Sequence, residues 1–165
     1  MSAKKTDAKV MEFLAGANIV YSVRLIGATT RDKWRCDEWR VLFKGPKAEF
    51  KTEYFTGTGH RVDTAVTAMQ RRSLKGCSVN SVAWQEMLKG MKPVQPSAAS
   101  VLYSLLLDSS AVDQSFIDWC NDLGYETDSR KALATYEACC ESGQKMRQLF
   151  TSAQRETLAE LLQDY

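Results

Sequence analysis

Before residue 57, apolar and polar positions alternate with a period of two. After residue 96 the apolar positions recur every three or four residues. The first alternating run is Asn18 to Ala28, where Ile19, Tyr21, Val23 and Leu25 interleave with Val20, Ser22, Arg24 and Ile26. The second is Glu38 to Lys44, with Trp39, Val41 and Phe43 set against Arg40, Leu42 and Lys44. The third is Ala48 to Thr56, with Phe50, Thr52 and Tyr54 set against Lys51, Glu53 and Phe55. Such alternation, rich in aromatic and β-branched residues, predicts half-buried strands. Gly45-Pro46-Lys47 predicts a tight turn between the second and third strands, and Thr29–Asp37 reads as a charged connection between the first and second. An antiparallel meander is the simplest topology.

The back of the chain reads as four helices. Ser97 is placed to cap a helix with the stripe Val101, Leu102, Leu105 and Leu106. Asp113 is expected to cap a second, through Phe116, Ile117, Trp119 and Cys120, ending near Gly124. Asp128 is expected to cap a longer third, with Leu133, Tyr136, Cys140, Met146, Leu149 and Phe150. Thr151 and Gln154 have capping-box spacing for a fourth, carrying Leu158, Leu161 and Leu162. Residues 1–8 read as a polar, frayed end and 9–16 as a short helix. Between the halves, Ser81 to Met91 has the spacing of a short amphipathic helix. The expected class is α+β: a small antiparallel sheet of about three strands, then a helical layer of about four helices.

The alternation assigns faces. Ile19, Tyr21, Val23, Leu25, Trp39, Val41, Phe43, Phe50, Thr52 and Tyr54 share one face, which the helices must cover. Ser22, Arg24, Arg40, Lys44, Lys51 and Glu53 share the other, a basic face. Charge divides the chain where the period changes. Residues 1–95 hold 17 Lys/Arg against 9 Asp/Glu, and residues 96–165 hold 5 against 11. This predicts a single domain over 1–165 with a basic strand-rich part (1–60), a basic connection (61–96) and an acidic helical part (97–165). A surface of two signs suits charged macromolecular partners.

Composition narrows the class. A chain of 165 residues that is 44% hydrophobic can bury a core of its own. It contains no apolar run long enough to span a bilayer and no secretory leader pattern. Cys36, Cys77, Cys120, Cys139 and Cys140 are odd in number and form no Cys-x-x-Cys, so neither a disulfide framework nor a zinc motif is expected. The expected compartment is a reducing cytoplasm.

Three groups of residues are candidates for chemistry. Gly57, Gly59, His60 and Arg61 follow a strand, where glycines can bring backbone N–H groups to a phosphate. The pattern lacks the third glycine of a dinucleotide fingerprint and the Lys-Ser/Thr of a P-loop, and a simple glycine turn is the readier explanation. His60 is the sole histidine and has no partner at metal-ligand or catalytic spacing. Asp118, Asp122 and Glu126 form an acidic group that reads as a docking face or as a solvated helix face. Arg24, Arg40, Lys44 and Lys51, with Arg71 and Arg72, read as a solvated face, a nucleic-acid footprint or a protein-docking face.

Tyr54-Phe55-Thr56-Gly57-Thr58-Gly59-His60, Phe116-Ile117-Asp118-Trp119-Cys120, Gly124 to Ala132 and the terminal Leu161-Leu162-Gln163-Asp164-Tyr165 together resemble a family of small proteins encoded by tailed bacteriophages and prophages. The likeness covers roughly residues 18–60 and 93–165, and Thr58 departs from the apolar residue expected there. The resemblance carries over no catalytic residue. It implies a phage genome, an accessory gene and expression in the bacterial host cytoplasm; the protein is expected to be non-enzymatic, with no metal or cofactor. Such a protein is expected to bind and inhibit or redirect a host factor, for example a defence complex in the manner of anti-CRISPR proteins. The alternatives are a nucleic-acid-binding accessory protein and a small phosphate-ligand enzyme using Gly57–Arg61.

Overall fold

Thr6, Val10 and Leu14 lie four residues apart, and in the computed structural model all three face inward from one helix, α1, Ala3–Gly16. The structure describes residues 2–31, 34–57 and 95–165, with side chains over 2–27, 37–54 and 95–165. The frayed end expected at 1–8 is therefore helix from Ala3 onward. Tertiary contact is the reason: Thr6 is buried, and the Asp7 carboxylate accepts from the backbone N–H of Ala99 at 3.0 Å. α1 ends where Asn18 adopts a left-handed φ of 56°, a conformation Asn tolerates better than most residues. The Ile19 N–H then returns to the Leu14 carbonyl at 2.8 Å, and the chain enters the sheet.

The sheet is the antiparallel meander β1 (Val20–Arg31), β2 (Trp34–Lys44) and β3 (Glu49–Gly57), in that order. Tyr21 opposes Phe43, Val23 opposes Val41, and Leu25 opposes Trp39. Trp39, Val41 and Phe43 oppose Tyr54, Thr52 and Phe50 in turn. The connection expected over Thr29–Asp37 is instead strand, because β1 and β2 pair on as far as Arg31 and Trp34. An irregularity at Ile26, between Leu25 and Gly27, shifts the register by one residue and hides this continuation from a strict period of two. Leu25 beside it is 41% exposed, although its alternation predicts burial. At the other end, the Gly45 N–H bonds to the Ala48 carbonyl at 2.8 Å and closes the predicted turn.

The helical layer runs α2 (Ala98–Ser109), a 3-10 turn (Ser110–Asp113), α3 (Phe116–Leu123), α4 (Arg130–Leu149) and α5 (Ser152–Leu161). Ser97 caps α2, and Thr151 with Gln154 forms the reciprocal capping box of α5, as their spacing predicts. Two predicted caps are displaced. Ser115, not Asp113, accepts the third N–H of α3, and Ser129, not Asp128, does so for α4. Asp113 lies in the 3-10 turn, paired with Arg147 at 2.5 Å. Gly124 ends α3 at φ 72°, which favours glycine.

The inner sheet face packs under Val10 and Leu14 of α1, Val101, Leu102 and Leu105 of α2, Met146 and Phe150 at the end of α4, and Leu158 and Leu162 at α5. Tyrosine hydroxyls tie the layers: Tyr21 donates to the Pro96 carbonyl, and Tyr54 to Val101 at 3.4 Å. A second, smaller core is separate. Trp119 and Cys120 of α3 meet Ala111, Ala132 and Cys139, with Phe116, Tyr125 and Tyr136 packed around them. The buried stripe of α4 thus includes Ala132, Cys139 and Gly143, and the predicted Leu133 is 43% exposed.

Candidate functional site

α3 is a short helix held on one side. Trp119 and Cys120 are buried, and Trp119 stacks on Tyr125 at 4.7 Å between ring centroids. Phe116 meets Tyr136 at 5.4 Å, and the Tyr136 hydroxyl donates to the Gln114 carbonyl at 2.6 Å. At 100° per residue, these anchors leave Ile117, Asn121, Asp118 and Asp122 together on the opposite face. All four are exposed, and Ile117 is 60% exposed.

The two carboxylates of that face are oriented by neutral groups. Ser115 Oγ donates to Asp118 Oδ2 at 2.6 Å while accepting from the Asp118 N–H at 3.1 Å. Gln114 Nε2 donates to Asp122 Oδ2 at 2.5 Å. Neutral donors fix a carboxylate in place without cancelling its charge. Asp118 also sits in the first turn of α3, where the helix dipole favours a negative group. Glu126 is exposed in the turn beyond Gly124, and Arg130 and Lys131 open α4 as exposed residues. The three predicted acidic residues are thus all exposed, two on α3 and one just beyond it, where α3 is seated on the smaller core. Ile117, expected in the apolar stripe of this helix, faces outward instead, a turn of about 100° from Phe116 away from the Trp119–Cys120 side; Gln114 and Ser115 were not among the sequence candidates. The Ser-x-x-Asp spacing of Ser115 and Asp118 is the signal that would have found the cap and its aspartate together.

The outer sheet face carries Arg24, Arg40, Lys44 and Lys51 where alternation predicts them, all exposed. It is less basic than predicted. Glu38, Glu49 and Glu53 lie on the same face, because even positions of β2 share it with odd positions of β3. Arg40 Nη2 pairs with Glu53 Oε1 at 3.0 Å, and Lys51 Nζ with Glu49 Oε1 at 3.0 Å. The Lys51 contact, with Lys44 adding to it, holds the Glu49 carboxyl below its usual range. Among the described side chains of this face, four cations thus stand beside three carboxylates. Leu42 and the exposed Val20 interrupt it further.

Gly57 is the last residue of β3; Gly59, His60 and Arg61, and likewise Arg71 and Arg72, lie outside the described residues. The helix expected over Ser81–Met91 lies outside them too. Among the described residues no three His, Cys, Asp or Glu side chains gather as a metal site. No described helix is long and apolar enough to cross a membrane. Cys120 and Cys139 are buried, and Cys140 is half-buried. Comparisons with models of protein families, with curated proteins and with solved structures return no match.

Proposed function

We propose that the chain is a phage-encoded accessory protein that binds a basic surface of a bacterial factor through the outward face of α3. One observation carries this reading: Asp118 and Asp122 are presented by neutral partners around the exposed Ile117, on a helix anchored from its other side by Trp119 and Cys120. An apolar contact ringed by fixed charge has the makings of a docking site, with the charge steering approach and the apolar residue holding contact. A Lys/Arg-rich channel that normally holds nucleic-acid phosphate is the complementary chemistry, so a nucleic-acid-guided defence complex is a natural target class. The phage origin and the action in host cytoplasm rest on the family resemblance. The nucleic-acid-binding alternative draws no support from a sheet face whose cations are largely matched by glutamates.

The test is capture of partners from bacterial lysate on the tagged protein, after nuclease treatment, at low and high salt. A stoichiometric protein partner is expected. Replacing Asp118 and Asp122 by Asn and Glu126 by Gln should weaken its capture by about tenfold or more, while Arg40→Glu leaves it unchanged. Capture indifferent to the acidic triple variant but lost with Arg40→Glu would move the interface to the sheet. Recovery of nucleic acid alone from untreated lysate would favour the alternative.

A further inference from the structure

At the far end of α4 from its junction with α3, four segments border an open cleft of about 330 Å³. Its apolar walls are Ala17 after α1, Pro46 in the β2–β3 turn, and Leu149 and Phe150 where α4 passes into α5. Gly45 lets two walls approach closely: a Cβ there would lie 3.1 Å from Leu149 Cδ1, a tight contact. The volume lies at the small end of the range that holds organic ligands.

Charge selects among such ligands. Lys47 and Arg147 line the cleft and no carboxylate does. Among the described residues no ion pair engages Lys47. Arg147 pairs with Asp113 through Nη2, with side chains 38% and 71% exposed. An exposed pair is weak, and the guanidinium has further donors to turn toward the cleft. Thr151 and Gln154, also in the wall, satisfy each other in the capping box. The C-terminus of α4 and the N-terminus of α5 meet at this wall, so their dipoles offset and the side-chain cations set the sign.

We propose that this cleft binds a small amphipathic anion, an apolar ring or short chain carrying one carboxylate, sulfonate or phosphate. The apolar body lies against Phe150, Leu149 and Pro46, and the head group meets Lys47 and Arg147. The site is independent of the acidic α3 face.

Two fluorescent probes share an N-phenylnaphthylamine body and differ by one sulfonate: 8-anilino-1-naphthalenesulfonate and neutral N-phenyl-1-naphthylamine. Titrated into the full chain, the sulfonate is expected to saturate at one equivalent and to bind more tightly than the neutral probe. Lys47→Glu, on an exposed turn, should weaken the sulfonate by about tenfold or more and leave the neutral probe unchanged. Ala17→Leu, which fills the cleft, should remove both signals. The proposal fails if the sulfonate gives no saturable signal, if the neutral probe binds as tightly, or if Lys47→Glu leaves sulfonate affinity intact. It fails equally if a folded Ala17→Leu variant still binds. Should that variant not fold, Lys47→Glu alone decides.

Discussion

Gly143 lies in the middle of α4, where glycine would ordinarily weaken a helix by about 1 kcal/mol relative to alanine. Its neighbours explain its presence. A Cβ at this position would stand 2.4 Å from Val112 Cγ2 and 2.8 Å from Ser109 Cα. The valine can rotate away, but the Ser109 contact is backbone at the end of α2, and moving it displaces the 3-10 turn that carries Ala111 into the smaller core. Forcing a methyl into a closed site typically costs about 1–3 kcal/mol, which outweighs the helix gain of about 1 kcal/mol. Gly143→Ala is therefore expected to destabilise by up to about 2 kcal/mol, a fall in Tm of up to roughly 8 °C for a chain of this size. The control is Gly16→Ala, at the end of α1, where a Cβ meets nothing within 4 Å. That change should stabilise by about 0.4–1 kcal/mol by restricting the unfolded chain. Urea denaturation of both variants supplies the comparison, with an unchanged slope showing that the end states are the same. If Gly143→Ala stabilises as Gly16→Ala does, α4 does not press against Ser109, and the smaller core is not seated on the end of α2.

Three further outcomes are expected. Truncating Phe43, fully buried against Tyr21 at 5.3 Å between rings, to Ala should cost about 3–5 kcal/mol; a loss under about 1 kcal/mol in chemical denaturation would contradict its place in the main core. Thr151→Ala removes the side chain that accepts from the Gln154 N–H and should cost about 1 kcal/mol, read as a lower denaturation midpoint. Burial, with the Asp7 carboxylate adding to it, pushes the Tyr21 phenol above its ordinary value of about 10. A raised folded value means that its stabilisation is complete below the unfolded pKa and is lost as pH rises from there toward the folded one. Melting temperature should therefore fall above about pH 10, and fall less steeply in Tyr21→Phe; parallel slopes for the two proteins would refute the assignment.

The strand cores and the helix stripes were legible because burial follows period in both. Trp39, Val41, Phe43, Phe50 and Tyr54 are all inside, as are Val101, Leu102 and Leu105. What was not legible involved one extra residue or one distant contact. The insertion at Ile26 put the continuation of β1 out of phase with what precedes it, so strand read as connection. The start of α1 is fixed by Asp7 reaching Ala99, a contact between residues far apart in the chain that no local pattern encodes. Asp113 and Asp128 looked like caps because aspartate caps well, yet serines stand two and one positions later and supply the oxygen instead. Leu133 and Cys139 exchanged roles because the α4 stripe was phased on the larger side chain. The structure instead buries the small Ala132, Cys139 and Gly143 where α4 runs against α3 and the 3-10 turn.

The candidate sites fared unequally for a related reason. A sheet brings together residues from different stretches of chain, so local charge says little about the charge of its surface. Glu49 and Glu53, several residues beyond Arg40 and Lys44, become their cross-strand neighbours and offset them. Much of the positive excess of the front half also belongs to Arg61, Arg71, Arg72, Lys75, Lys89 and Lys92, outside the described residues. A helix exposes residues drawn from one short segment, so its local charge survives to the surface. Asp118 and Asp122 are four residues apart in a helix without a single Lys or Arg, and the nearest side chains that bind them are neutral. The negative charge suggested by the sequence is therefore present on the described surface at α3, whereas the described sheet face carries cations that neighbouring glutamates offset. That difference is why the functional proposal rests on α3, and why reversing Arg40 is its sharpest control.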